Sequence, residues 1–256
     1  MTPQGPHSRL DTGHPHPARV YDYLLGGKDH YPVDRETAQR LPPEVAQGAR
    51  HNRAFMQRAV TWLASHGIDQ YLDIGSGIPT EPNLHRIVQH IVPTARVVYT
   101  DNDPIVLRHA ESLLVSRPGG TTDYFEADVR EPATILDRAR DVLDFTRPVA
   151  LSLIALMHFL TDDQDPYGLT ATLVGALPPG SYLVFSHGTF DFHGPADDYT
   201  SRIHSQMRGA DEVMRFFTGL ELVAPGLVPA PRWYRDTPAP EQEVSGIYAA
   251  VARVPR

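Results

Sequence analysis

From Gln70 to His187 the chain alternates short apolar runs with longer amphipathic stretches, and few folds accommodate that alternation. The runs "QYLDIG", "ARVVYTD", "TDYFEADV", "PVALSLIA" and "GSYLVFSH" have the length of strands. Between them lie residues 83–92, "PIVLRHAESLLVS", "PATILDRARDVL" and "GLTATLVGAL", which read as helices. Strands that alternate with helices form a parallel sheet covered on both faces, an α/β architecture. The tail departs from this pattern. "SRIHSQMRGADEVMRFFTGLELV" reads as helix and then extended chain, and "VSGIYAAVARV" as a final strand. No helix of normal length fits between those last two extended segments, so they are expected to pair antiparallel. The expected result is a seven-stranded, mostly parallel sheet with an antiparallel C-terminal strand.

The first third of the chain is organised differently. Residues 1–14 hold Pro, Gly, His and Ser with little to bury and are expected to be disordered. "HPARVYDYLLGG" reads as a short helix, with Pro17 in its first turn and Val20 and Leu24 on one face. "ARHNRAFMQRAVTWLASHG" is a stronger helix, on which Phe55, Ala59, Trp62 and Leu63 recur at helical spacing. The chain thus divides into a tail (1–14), an N-terminal helical cap (15–66) and a core (67–256).

The net charge is −8 and no block of Lys or Arg stands out. Binding to nucleic acid or an anionic membrane needs a basic patch to neutralise phosphates, so a small-molecule partner is expected. The absence of cysteine excludes disulfides and thiolate metal sites. The N-terminus has no apolar core of a secretory signal. The longest apolar run, "VALSLIALMHFL", falls short of the roughly 20 residues that span a bilayer. Together these features point to the cytoplasm.

The turn after the first strand, "QYLDIGSGIPT", places Gly75, Ser76 and Gly77 where a doubly wound sheet binds its ligand. A dinucleotide fingerprint wants a third glycine and a helix N-terminus aimed at a pyrophosphate. Here the turn continues Ile78-Pro79-Thr80, and Asp73 precedes it. A fixed negative charge is awkward beside pyrophosphate and useful beside an ammonium group, which S-adenosylmethionine (SAM) carries. The second strand ends at Asp101, 24 residues beyond Gly77, where a carboxylate can accept both hydroxyls of a ribose. Asn102 follows and is a candidate for contact with adenosine; Asp103-Pro104 also makes a helix cap and first turn. The third strand ends in "EADV", with Asp128 placed to accept from an adenine amino group and Val129 beside it. An antiparallel tail, unusual in a dinucleotide-binding fold, is usual among SAM methyltransferases.

The blocks "PARVYDYLLGGKDHYPVDRE", "ARHNRAFMQRAV", "YLDIGSGIPT", "VVYTDNDPIVL", "DPYGLTATLVGALPPGSYLVFSH" and "LELVAPGLVP" resemble the bacterial S-adenosyl methyltransferase family, also called methyltransferase family 19. The likeness runs from about Pro15 to the C-terminus, and its N-terminal block is the most distinctive part. It implies a class I, Rossmann-like SAM-methyltransferase fold, with an N-terminal segment closing over the cofactor. It implies no particular methyl acceptor. On residue types alone, Tyr21, Gly27 and Lys28 are either pocket residues or parts of a helix packed over the sheet; the likeness favours the pocket. Arg53 offers a fork for the cofactor's carboxylate, with a surface ion pair as the rival.

His158, after the fourth strand, and His187, ending the fifth, border the expected substrate pocket. A histidine there can take a proton from a hydroxyl or amine, or can be a structural residue. "SLIALMHF" lacks the Asn/Asp-Pro-Pro-Tyr/Phe box of many amino-group methyltransferases, and no His and carboxylate cluster has metal-ligand spacing. The expected activity is SAM-dependent methylation of a small molecule on oxygen, nitrogen or carbon. A non-catalytic SAM or small-molecule binder and an NAD(P)-dependent oxidoreductase are the alternatives.

Overall fold

The computed structural model describes residues 12–113, 116–192, 205–234 and 245–255. Most of the expected disordered tail, and parts of three expected elements (residues 114–115, 201–204 and 244), lie outside the described residues. The strands are β1 (Gln70–Ile74), β2 (Arg96–Asp101), β3 (Thr121–Glu126), β4 (Ala150–Ile154), β5 (Tyr182–Gly188), β6 (Glu221–Leu222), β7 (Val228–Pro229) and β8 (Ile247–Arg253). They form one sheet in the order β3-β2-β1-β4-β5-β8-β6, with β7 also paired to β8. Strands β1 to β5 are parallel, and β8 runs antiparallel to β5, β6 and β7. Glu221 pairs with Arg253, and Val228 with Ala249, so β6 and β7 share one edge of β8. Eight strands therefore fill seven positions.

Strand alternation builds a core on each side of the sheet. Leu72 and Ile74 of β1, Leu151 and Leu153 of β4 and Leu183 and Phe185 of β5 face one cluster. Tyr71, Ala150 and Val184 face the other, which is closed by Phe55, Met56, Ala59, Val60 and Leu63. Those five lie on α3 (Pro43–Ser65), whose apolar residues recur every three or four positions. The remaining helices are α1 (Pro17–Leu24), α2 (Pro32–Gln39), α4 (Leu84–Ile91), α5 (Pro104–Leu113), α6 (Pro132–Ala139), α7 (Pro166–Gly175) and α8 (Ala210–Met214). At the start of α7 the Asp165 carboxylate accepts the Gly168 N–H, followed by Pro166 in the first turn.

Two differences from the sequence reading have physical causes. Helix α2 carries too little apolar surface to announce itself, yet it is tied down by charge. Its Asp34 carboxylate, fully buried, accepts the N–H groups of Tyr31 and His16 (2.9 Å each) and faces Arg19 Nε of α1 at 3.2 Å. The helix expected before β6 is correspondingly short. Residues 205–209 are drawn out of it, because the Gln206 N–H donates to His158 O (2.7 Å) and the Arg208 N–H to Gly188 O (3.3 Å). Tertiary bonds override local propensity there.

Candidate functional site

The parallel strands end together, and the register aligns Asp73 of β1 with Tyr99 of β2 and Ser152 of β4. Over these ends lies a cavity of about 300 Å³, roofed by α1 and the first turns of α3. The glycine turn forms one wall. The Gly75 N–H donates to Thr100 O (2.8 Å), and the Gly77 N–H to Asp101 Oδ2 (2.8 Å), so the turn is bolted to the end of β2. Gly75 has φ +73°, and a Cβ on it would lie 2.6 Å from Leu156 Cδ1. Gly75→Ala should therefore cost about 1–2 kcal/mol from the left-handed backbone alone. At about 2–4 °C per kcal/mol, a melting curve should fall by several degrees. A Cβ on Gly77 would meet nothing within 4 Å; that side of the turn is open.

The cavity lining contains Tyr21, Arg53, Asp73, Gly75, Ser76, Gly77, Asp101, Asn102, Asp128, Val129 and His158, brought together from α1, α3 and the ends of four strands. Burial pushes the Asp73 carboxyl up to about 6, and the Ser152 hydroxyl and the Arg53 guanidinium offset only part of that. Burial also lowers the Arg53 guanidinium, which is in turn supported by Tyr21 and Asp73. Arg53 Nη2 donates to the carbonyls of Thr80 and Pro82, while its buried Nε has no hydrogen-bond partner among the described residues. One end of the cavity thus offers an anion and a cation that the protein does not fully satisfy.

The acids on the other side are more occupied. Asp101 is buried and raised by that burial; it also accepts the Asp103 N–H at 3.0 Å. Asp103 caps α5 through the Ile105 N–H (2.9 Å) and faces His16 Nδ1 at 3.2 Å, tying the start of α1 to the start of α5. Asp128 accepts from Arg130 Nε (2.9 Å) and Asn102 Nδ2 (3.2 Å), and the Arg130 bonds hold it down to about 2.

A chain of polar groups runs behind the cavity. The Ala155 N–H donates to Ser186 Oγ (2.9 Å), Ser186 Oγ to Asn52 Oδ1 (2.6 Å), Asn52 Nδ2 to Tyr21 Oη (2.9 Å), and Tyr21 Oη to Ala49 O (3.1 Å). Every proton in this chain has one direction, so the Tyr21 hydroxyl points its proton away from a ligand. Ala155 itself has φ +52°. Neither Asn52 nor Ser186 was singled out from the sequence. A signal existed for Asn52: it occupies the apolar stripe of α3, one turn before Phe55 and Met56.

The two histidines part company. His158 lines the cavity, and its Nδ1 accepts the Gly188 N–H at 3.3 Å, which assigns the ring proton to Nε2. Burial, aided by Arg208, lowers it to about 3. It is a neutral donor rather than a base. His187 is fully buried and outside the cavity lining; Nδ1 donates to Gly188 O (2.7 Å) and Nε2 accepts from Arg208 Nη1 (3.0 Å). Both nitrogens are engaged within the fold, which fits the structural one of the two readings that the sequence allows. Gly27 and Lys28 are not in the cavity lining; they line a shallow depression that shares Leu24 with it.

A parallel sheet that ends on an antiparallel strand, with a cavity over β1 and β2, defines the Rossmann-like methyltransferase fold. The S-adenosyl methyltransferase family matches residues 3–255, and the chain belongs to that family. Two solved structures are close to it. A DUF574-family protein from Streptomyces avermitilis is 47% identical, with a TM-score of 0.91 over 96% of this chain and 100% of the other. A candidate methyltransferase from Thermobifida fusca is 37% identical, with a TM-score of 0.89 over 98% and 99%. Magnesium protoporphyrin IX methyltransferase from Synechocystis, with bound S-adenosylhomocysteine (SAH), shares the fold at a TM-score of 0.52 and 13% identity, over 91% of this chain and 92% of the other. Among curated proteins none matches. The protein is a SAM-dependent methyltransferase. The cavity fits that cofactor: the half-satisfied Asp73 and Arg53 suit an amino-acid zwitterion, and the open side of Gly77 leaves room for it.

Proposed function

We propose that the protein transfers the methyl group of SAM to an oxygen, nitrogen or carbon of a small molecule bound under the N-terminal cap, residues 15–66, against the core that follows it. The observation that carries this reading is the convergence of Arg53 and Asp73, opposite charges with raised electrostatic demand, beside the Gly75–Gly77 turn. In it Arg53 takes the cofactor's carboxylate and Asp73 its ammonium. Asp101 takes the ribose hydroxyls, Ser76 and the two glycines wrap the chain between, and Asn102, Asp128 and Val129 border the base. When bound, the cofactor supplies a sulfonium methyl, an electrophile that needs no further activation.

What this chain adds is placement. Tyr21 and Leu24 of α1 close the acceptor side, and the Asn52–Ser186 chain fixes the turn after β4. Holding two reactants in line supplies a large share of such a barrier. His158, neutral with its proton on Nε2, borders the acceptor, and the acceptor's proton leaves to water. Among the described residues no helix is long and apolar enough to cross a membrane.

Calorimetric titration with SAM, SAH and NADH tests the reading. SAM and SAH should bind and NADH should not. Asp101→Ala should weaken SAH at least about tenfold, since a hydrogen bond to a charged group is worth roughly 1.5–3 kcal/mol. If neither SAM nor SAH bound the wild type, the assignment of Asp73, Gly75, Gly77 and Asp101 would fail.

A further inference from the structure

The sequence contains 23 basic residues, and Lys28 is the sole lysine among them. It sits in "LLGGKDH", between α1 and α2, on a loop that is firmly built. The loop is held by Asp22, a residue only 3% exposed. Asp22 O accepts the Gly27 N–H (2.9 Å), Oδ2 accepts the Asp29 N–H (2.9 Å), and Oδ2 meets His30 Nδ1 at 3.2 Å. The His30 ring packs edge-on to Tyr23, with centroids 5.0 Å apart. Gly27 is required by this arrangement, because a Cβ there would fall 1.9 Å from Asp22 Oδ1.

The loop is pinned at three points, and Lys28 and Arg50 of α3 both line the shallow depression that Tyr23, Leu24 and Leu25 complete. Neither cation has an ionic or hydrogen-bonding partner among the described residues. Arg35 and Arg40 of α2 are likewise exposed without such a partner, but they do not line this depression. The depression adjoins the cavity. Leu24 lines both, and consecutive residues of α3 divide between them, Ala49 facing the cavity and Arg50 the depression. The arginines in the cavity's own lining are already engaged, Arg130 with Asp128 and Arg53 with the carbonyls of Thr80 and Pro82.

We propose that Lys28 and Arg50 form an anion subsite at the rim of the cavity, which receives the acidic group (phosphate, sulfate or carboxylate) of the methyl acceptor. The proposal rests on the methyltransferase reading and deepens it: the acceptor has an apolar body within reach of the cofactor and an acid at its far end. A compact ammonium with three rotatable donors suits such a group, and the Arg50 fork adds a planar pair of N–H donors.

A single lysine makes the test direct. Protein labelled with 13Cε,15Nζ-lysine gives one side-chain signal, from Lys28, to be followed during titration with sodium pyrophosphate and, separately, sodium malonate at constant ionic strength. A saturable shift is expected with at least one of the two, and which one saturates identifies the acid. The dissociation constant should rise at least about tenfold in Arg50→Gln, which loses a charge-assisted pair. It should be unchanged with SAH bound, because the subsite lies outside the cofactor's cavity. Calorimetry should show equal SAH affinity for wild type, Lys28→Gln and Arg50→Gln.

Saturation by neither anion, or a shift that Arg50→Gln leaves intact, would overturn the subsite while leaving the cofactor reading untouched. Loss of SAH binding in Lys28→Gln would also overturn it, by returning Lys28 to the cofactor site. Failure of wild-type SAH binding, with the lysine shift intact, would instead remove the proposed cofactor site and leave an anion site without its acceptor role.

Discussion

Replacing Asp73 with Asn is expected to raise the melting temperature of the ligand-free protein and to weaken its hold on SAM. The Asp73 carboxyl has an ordinary value of 3.8 in the unfolded chain and about 6 in the fold, raised first by burial. An acid whose value rises on folding opposes folding at every pH at which the unfolded chain ionises it. Below about pH 4 the group is protonated in both states and costs nothing. Between about pH 4 and 6 the cost grows, and above 6 it stays constant at no more than about 3 kcal/mol. Asparagine keeps the shape and removes that cost, so at pH 7 the variant should melt higher by up to about 6–12 °C, on the scale of 2–4 °C per kcal/mol.

Ligand binding should move the other way. The ammonium of SAM finds its counter-charge only when Asp73 is ionised. Wild-type affinity should therefore fall as pH drops through about 6, and the variant's affinity should be at least tenfold lower and flat over that range. Thermal melts from pH 4 to 8, paired with SAH titrations at the same pH values, read both effects. A variant that melts no higher than wild type at pH 7 would mean that Asp73 is compensated by neighbours within the fold. A gain in stability without loss of affinity would remove it from the ammonium site. Stability given up at the position where a ligand charge must dock is the usual sign of a binding residue.

What the sequence disclosed was whatever its neighbours in the chain could decide. The strand and helix alternation, the Gly75–Gly77 turn and Asp101 at the end of β2 are local patterns, and a parallel sheet turns strand ends into one site whatever the rest does. The antiparallel pairing of β6 with β8 followed from the length of the connection. Contacts between distant segments were not legible. Asn52 meets Ser186 across 134 positions, and the run before α8 forgoes helix for bonds to the turn after β4. The histidines show the same limit more sharply. Residue type made His158 and His187 equal candidates, and only the donors around each ring separate a neutral cavity donor from a buried strut. Lys28 and Gly27 belong to the same motif as Tyr21, yet past the end of α1 they line the neighbouring depression and not the cavity.

Arg208 is the residue whose loss should unsettle the fold most. Its side chain is wholly buried, and it holds together three segments that no helix or strand connects. Nη1 donates to Met157 O (3.3 Å) and His187 Nε2 (3.0 Å), and Nη2 to Leu160 O (3.0 Å) and Asp162 Oδ1 (2.7 Å). Its guanidinium also lies 5.5 Å from the Tyr167 ring centroid and 5.8 Å from that of Phe216. Methionine would fill the volume but donate to none of these acceptors. Each buried acceptor left unpaired costs about 1–3 kcal/mol, so Arg208→Met should lose about 3–5 kcal/mol. That corresponds to a fall in melting temperature of about 10 °C or more. The ion pair with Asp162 is the smaller part, because the Asp162 side chain is 56% exposed. Asp162→Asn should therefore cost under about 1 kcal/mol. The contrast between the two variants, measured by urea unfolding, separates a carbonyl clamp from a salt bridge. Equal losses would assign the stability to the ion pair. The clamp also fixes residues 157–162, and with them His158 and Leu160 in the cavity wall. Arg208→Met should therefore bind SAH more weakly even well below its melting point, whereas Asp162→Asn should bind it as the wild type does.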